Sequence, residues 1–175
     1  MKKGIKIAIS GKSGCGNTTV SRLVAERLGL ELINYTFHTM AEEEGIDFKD
    51  LYQKAQTDFS YDRHLDERQV EMAQKGDCVL GSRLAIWMLE DADLKVFLDA
   101  PLEVRAKRIQ QREGGSFEDV LEETRRRDKK DSNRFKQLYD IDNDKFGFAD
   151  LILDVGSLDQ HEAAERIAAE ARKIR

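Results

Sequence analysis

The sequence predicts one α/β domain, a five-stranded parallel sheet with helices on both faces. Three observations predict it. Five short apolar runs alternate with helical stretches along 175 residues. Runs that are apolar at nearly every position belong to strands buried on both faces, and their alternation with helices indicates a parallel sheet. Charged residues make up 36% and apolar residues 40%, the balance of an ordinary globular chain long enough for one real core.

The elements follow in order. Ile5–Ser10 (IKIAIS) is an isoleucine-rich buried strand. Val20, Leu23, Val24 and Leu28 recur at helical spacing between Thr18 and Leu28, and Gly29 is a natural stop. Leu30–Asn34 is the second strand. From Phe37 to about Gln74 the chain is polar and helical, broken at Gly45 and near Ser60 and ended by Gly76. Asp77–Gly81 is the third strand, and a helix begins over Leu84–Leu89. Leu94–Asp99 is the fourth strand, followed by helices over Glu103–Arg112 and Phe117–Lys130 with Gly114-Gly115 between them. Ala149–Val155 is the fifth strand, and the last helix starts at about Asp159, with Ala163, Ala164, Ile167, Ala168, Ala171 and Ile174 on one side.

Ligands of such sheets bind beyond the carboxyl ends of the strands. Two segments are too long and polar for simple crossovers, so they are expected to stand above the sheet as mobile pieces. The expected division is a core of residues 1–34, 77–111 and 148–175, an insert over 35–76 and a lid over 112–147.

The net charge of -5 argues against a nucleic-acid binder, which carries a basic surplus. Cys15 and Cys78 have no metal-ligand spacing and read as reduced thiols of a cytoplasmic chain. No apolar run approaches transmembrane length, and no signal-peptide pattern opens the chain.

The first strand runs into Gly11-Lys12-Ser13-Gly14-Cys15-Gly16-Asn17-Thr18-Thr19 and then a helix. Such a turn points successive N–H groups inward, and the helix N-terminus adds about half a positive charge, which makes an anion site sized for phosphates. Thr18 holds the Mg²⁺-ligating hydroxyl position of the pattern G-x-x-x-x-G-K-[ST]. Asn17 stands where that pattern has a lysine, which would reach the β- and γ-phosphates. Lys12, arginines from elsewhere, or both are left to supply the missing cation. A loop of this kind identifies phosphate binding and little more.

Arginines gather around the same edge. Arg83 follows the third strand, where it can fork onto a phosphate. Arg105, Arg108 and Arg112 share helical spacing, whose plain reading is a solvated face. The segment from Arg125 to Lys136 holds seven basic and two acidic residues, with Arg127, Asp131 and Arg134 on one face if helical. That face suits a ribose with phosphates, and a generic salt-bridged helix is the alternative. The insert carries His38, Asp62, Arg63, His64, Asp66, Glu67 and Arg68 without a recognised metal or triad spacing.

These residues together resemble the cytidylate kinases, most closely the short type found mainly in archaea. The carriers are Ile9-Ser10-Gly11 through Thr18-Thr19-Val20, the segment Val79 to Leu89 around Trp87, Ala100-Pro101-Leu102-Glu103-Val104-Arg105-Ala106, Arg112-Glu113-Gly114, Arg127-Asp128 with Asp131 and Arg134, and Tyr139-Asp140-Ile141-Asp142. The segments around Trp87 and from Arg127 to Arg134 are the specific ones. The resemblance covers nearly the whole chain. It implies a P-loop NTPase fold of the nucleoside monophosphate kinase type, with a helical NMP-binding insert and a small arginine-rich lid.

It implies transfer of a phosphoryl group from ATP, with Mg²⁺, to CMP or dCMP. The alternatives are another acceptor such as UMP or AMP, or a nucleotide-binding protein with little turnover because of Asn17. Gly11 to Thr19 would hold the ATP phosphates, with Arg108 and Arg112 closing over ATP and Gly156 bordering the adenine. His38, Arg63, Arg83, Arg127, Asp131 and Arg134 would hold the monophosphate. Lys12, Asn17, Arg83, Arg127 and Arg134 are the residues expected to act in transfer. His38 falls where the family usually has an arginine, and Leu84 where it has an acidic base-reading residue. A cytoplasmic monomer acting on free nucleotides is expected.

Overall fold

The computed structural model describes residues 4–175; residues 1–3, assigned above to the start of the core, lie outside the described residues. The elements are β1 (Lys6–Gly11), α1 (Asn17–Leu28), β2 (Glu31–Leu32), α2 (Phe37–Glu44), α3 (Phe48–Ala55), α4 (Ser60–Ala73), β3 (Cys78–Gly81), α5 (Ala85–Met88), β4 (Leu94–Asp99), α6 (Leu102–Glu113), α7 (Phe117–Tyr139), β5 (Leu151–Asp154) and α8 (Gln160–Ile174). The five strands form one parallel sheet in the order β2-β3-β1-β4-β5. β1 is central, with Ile7 opposite Val79 on one side and Leu94 on the other.

Strand alternation sorts the apolar residues onto two faces. Ile5, Ile7 and Ile9 join Val20, Val24 and Ile167 under α1 and α8. Ala8, Leu80 and Phe97 pack on the other face with Ile86 and Leu89, where Trp87 lies against them. Each fully buried Ile or Leu contributes roughly 1.5–3 kcal/mol by leaving water. α2–α4 hold a small core of their own from Tyr35, Met40, Ala41 and Leu51. The Phe146 ring stacks on Phe97 at 3.8 Å, which fastens the end of the 112–147 segment to the sheet. Cys15 and Cys78 are free and buried. No helix among the described residues is long and apolar enough to cross a membrane.

Three elements depart from the sequence reading. β2 shrinks to two residues at the sheet edge. The insert resolves into three helices, with Gly45 in the left-handed conformation closing the first and Asp47 capping the second. α7 runs unbroken for 23 residues, nine past Lys130. Its second half lacks an apolar stripe because Asp131 and Phe135 face inward there among arginines, so hydrophobic periodicity could not trace it.

Candidate active site

The glycine-rich turn joins β1 to α1 at the carboxyl edge of the sheet. Gly14 turns at a φ of 84°, and a Cβ there would stand 2.8 Å from the Arg105 carbonyl, so only glycine fits without a shift. Cys15 is buried behind the turn, and burial pushes its thiol pKa up, which makes it a packing residue and not a nucleophile. Thr18 is exposed in the first turn of α1 and lines the cleft over the loop. Its hydroxyl is the hard oxygen donor that suits a Mg²⁺ ion held mainly by phosphates and water.

Asn17 also lines that cleft, and its side-chain amide is bonded within the protein. Its amide nitrogen donates to the carbonyls of Ile9 (2.9 Å) and Ser82 (3.4 Å), and its oxygen accepts from Ser21 Oγ at 2.8 Å. Both amide hydrogens are thus engaged by the ends of β1 and β3. A Cβ on Gly81 would lie 2.2 Å from Ser21 Oγ and 2.7 Å from Asn17 Oδ1, so the strand end is shaped around this pair. The Asn17 amide thus joins the end of β1 to the end of β3 while the residue lines the loop cleft.

The cleft over the loop has a volume of about 1000 Å³ and is lined by residues 11–19 with Arg108, Arg112 and the start of α8. Lys12 lines it while paired to Asp144, Nζ to Oδ1 2.5 Å. Arg108 donates to the Val155 carbonyl, and the exposed Arg112 pairs with Glu113. Gly156 is not among the lining residues. Its N–H bonds Asp154 Oδ1, and the residues after β5 that line this cleft are Asp159, Gln160 and His161.

A second cleft of about 790 Å³ opens between α4, α7 and the end of β3. Arg83 pairs with Asp131 at 3.0 Å, and Arg134 pairs with Asp131 at 3.2 Å and with Asp62 at 3.3 Å. Arg134 Nε is buried without a partner among the described residues, a donor that an anion would satisfy. Arg127 reaches Ser13 Oγ at 3.3 Å. Ser82, Arg83 and Arg127 line both clefts and mark their junction.

Two predicted residues are not brought there. His38 stacks on Phe48, ring centroids 3.6 Å apart, and Arg63 donates to the Leu138 carbonyl over the Tyr139 ring. Neither lines a cleft. A partly buried aromatic ring and the carboxyl end of a helix are the partners of these two groups.

Arg105 departs from the sequence reading. Arg105 is 4% exposed rather than part of a solvated face. It forks onto Asp128 at 2.7 and 3.0 Å and donates to the carbonyls of Ser13 and Ala100. It therefore ties the loop, the β4–α6 corner and α7 together. Its spacing with Arg108 and Arg112 identified the face, but nothing in the sequence placed the loop against it.

A glycine-rich loop at a helix N-terminus, beside a second cleft lined with arginines, defines a P-loop phosphotransferase. The profile described as the Cytidylate kinase-like family matches residues 6–157. Among relatives, Cytidylate kinase 2 of Borreliella afzelii is 48% identical over 173 residues, covering 97% of each chain. Cytidylate kinase of Archaeoglobus fulgidus is 40% identical, covering 98% of each. The fold is shared with shikimate kinase from Bacteroides thetaiotaomicron, at a TM-score of 0.63, 15% identity and 97% coverage of both chains. The chain belongs to the cytidylate kinase-like family.

Proposed function

We propose that this kinase transfers the γ-phosphoryl group of ATP to CMP or dCMP, with ATP over the glycine loop and the acceptor in the arginine cleft. The observation that carries this reading is the junction of the two clefts at Ser82, Arg83 and Arg127. In-line transfer needs two phosphates to meet at one point where charge is neutralised. The acceptor oxygen is already anionic, so no general base is required.

Within this reading the loop N–H groups and Lys12 hold the donor phosphates, and Arg83 and Arg134 hold the acceptor. Arg127 lies at the meeting point and supplies the charge that Asn17 does not. Thr18 would hold Mg²⁺, which when bound neutralises charge on the β- and γ-phosphates. Arg108 and Arg112 face ATP from α6. Closing of the 112–147 segment would exclude water and limit hydrolysis. The enzyme acts on free nucleotides as a cytoplasmic monomer.

An ADP-release assay coupled across CMP, dCMP, UMP and AMP tests the reading. The expected result is highest kcat/KM with a cytidine monophosphate. A clear preference for AMP or UMP, or no turnover with any of them, would contradict it.

A further inference from the structure

The arginine cleft has four acidic side chains, Asp62, Asp66, Glu123 and Asp131. Three of them have arginine partners: Asp62 with Arg134, Asp131 with Arg83 and Arg134, and Glu123 with Arg126. Asp66 is different. Among the described residues its hydrogen-bond partner is the Tyr139 hydroxyl, which donates to Oδ2 at 2.6 Å, and no arginine or lysine pairs with it. A partly buried carboxylate without a cation is unfavourable unless neutral donors satisfy it. A carboxylate has about four acceptor positions, and Tyr139 uses one.

Its location fits a purpose. Asp66 lines the arginine cleft and not the loop cleft. The acceptor phosphate belongs at the junction, beside Ser82, Arg83 and Arg127. The base then extends into the part of the cleft that the loop does not share. There Phe37 and Leu65 offer apolar walls for a ring, and Leu84, next to Arg83, has no polar side-chain group to read a base. Asp66 stands on the same turn as Leu65.

We propose that Asp66 reads the exocyclic amino group of the acceptor base, so that the cleft selects an amino-bearing base over one with an oxo group at that position. This rests on the acceptor reading above. An ionised carboxylate is acceptor-only. It receives an amino N–H and repels the carbonyl oxygen that uracil presents in its place. Burial raises the Asp66 pKa to about 6, against the lowering effect of the Tyr139 hydrogen bond, so it is ionised at neutral pH. Asp62 and Glu67 on α4 add repulsion, and Arg134 on α7 draws the other way. Tyr139 closes α7, so the helix that carries Arg127 and Arg134 also holds the base-reading acid.

The test compares wild type, Asp66→Asn and Tyr139→Phe with CMP and UMP in steady state. Sites built for a polar partner discriminate strongly when it is lost. Asp66→Asn should lower kcat/KM for CMP by about 30-fold, mostly through KM, and shrink the CMP-over-UMP ratio, with KM for ATP unchanged. Tyr139→Phe keeps the carboxylate and should retain most of the ratio. Equal losses for CMP and UMP in Asp66→Asn, or a ratio abolished as fully by Tyr139→Phe, would overturn the proposal.

Should Asp66→Asn fail to fold, the wild type gives the answer alone. Its thermal stabilisation by CMP relative to UMP should diminish as pH falls through about 6, and a constant ratio contradicts it. The phosphate titrates alike in both ligands and cancels. No turnover of any monophosphate would sink the kinase reading; turnover with a ratio indifferent to Asp66 sinks only this inference.

Discussion

The two clefts hold charge by different means. Over the loop, the groups proposed to hold phosphate are backbone N–H donors and a helix N-terminus, and the lysine position is a neutral amide bonded to the carbonyls of Ile9 and Ser82. In the arginine cleft, side chains form the chain Arg83–Asp131–Arg134–Asp62, paired before any ligand arrives. The first site is set by main-chain geometry and the second by a side-chain network. Preformed pairs keep arginines in place at little entropic expense when an anion binds. In the proposed reading the loop has Lys12 as its own cation and takes a second one from across the junction. In that reading the second cation is Arg127, which reaches Ser13 of the loop, and Arg105 with Asp128 fixes the turn of α7 that carries it.

Breaking the tie between the clefts should have the largest effect on stability. Arg105→Ala leaves Asp128 and the Ser13 carbonyl without their buried partner. The expected loss is about 3–5 kcal/mol, as for other broken buried pairs, read by chemical denaturation. A loss under about 1 kcal/mol would mean that the fork is ornamental.

On the loop side, Lys12 is the second cation in reach, held by Asp144. Lys12→Ala should lower kcat by about 100-fold, in the range for removal of one charge-stabilising donor, with little change in melting temperature. An unchanged kcat would assign the whole burden to Arg127.

The smallest effect sharpens the acceptor side. The folded Asp66 pKa of about 6 lies above its ordinary value of 3.8. Its contribution to stability is therefore fully present below about pH 4 and is lost as pH rises through 6. Asp66→Asn should gain roughly 1–2 kcal/mol at pH 7.5 relative to pH 4, when each is compared with wild type at the same pH. Paired denaturation curves at the two pH values check this; a gain at pH 4 and none at pH 7.5 would reverse the assignment.

The sheet was legible in the sequence because its strands are apolar on both faces, as Ile7, Val79 and Val96 illustrate. The loop was legible because its glycines and Thr18 follow a strand and open a helix. The Arg127–Asp131–Arg134 face was visible as a helical spacing, and all three residues line the arginine cleft. Three features were out of reach. The Asn17 bonds to Ile9, Ser82 and Ser21 were hidden because sequence gives a position in a motif and not the partners of a side chain. Arg105 looked solvated because the loop and Asp128, 23 residues away, are brought to it only by tertiary packing. Asp66 was one acid among several in a polar insert, and only the cleft separates it from its paired neighbours.

The most direct test of where the missing charge resides sets Arg127→Ala beside Asn17→Ala in the ADP-release assay with ATP and CMP, with melting temperatures measured on the same samples. If Arg127 supplies the charge, Arg127→Ala loses about 10³ in kcat, at the lower end of values for arginines that stabilise phosphoryl transfer, and melts near the wild type. Asn17→Ala keeps kcat within about tenfold and loses about 1–3 kcal/mol of stability through its broken staple. The reverse pattern, with kcat collapsing in Asn17→Ala and holding in Arg127→Ala, would contradict the account.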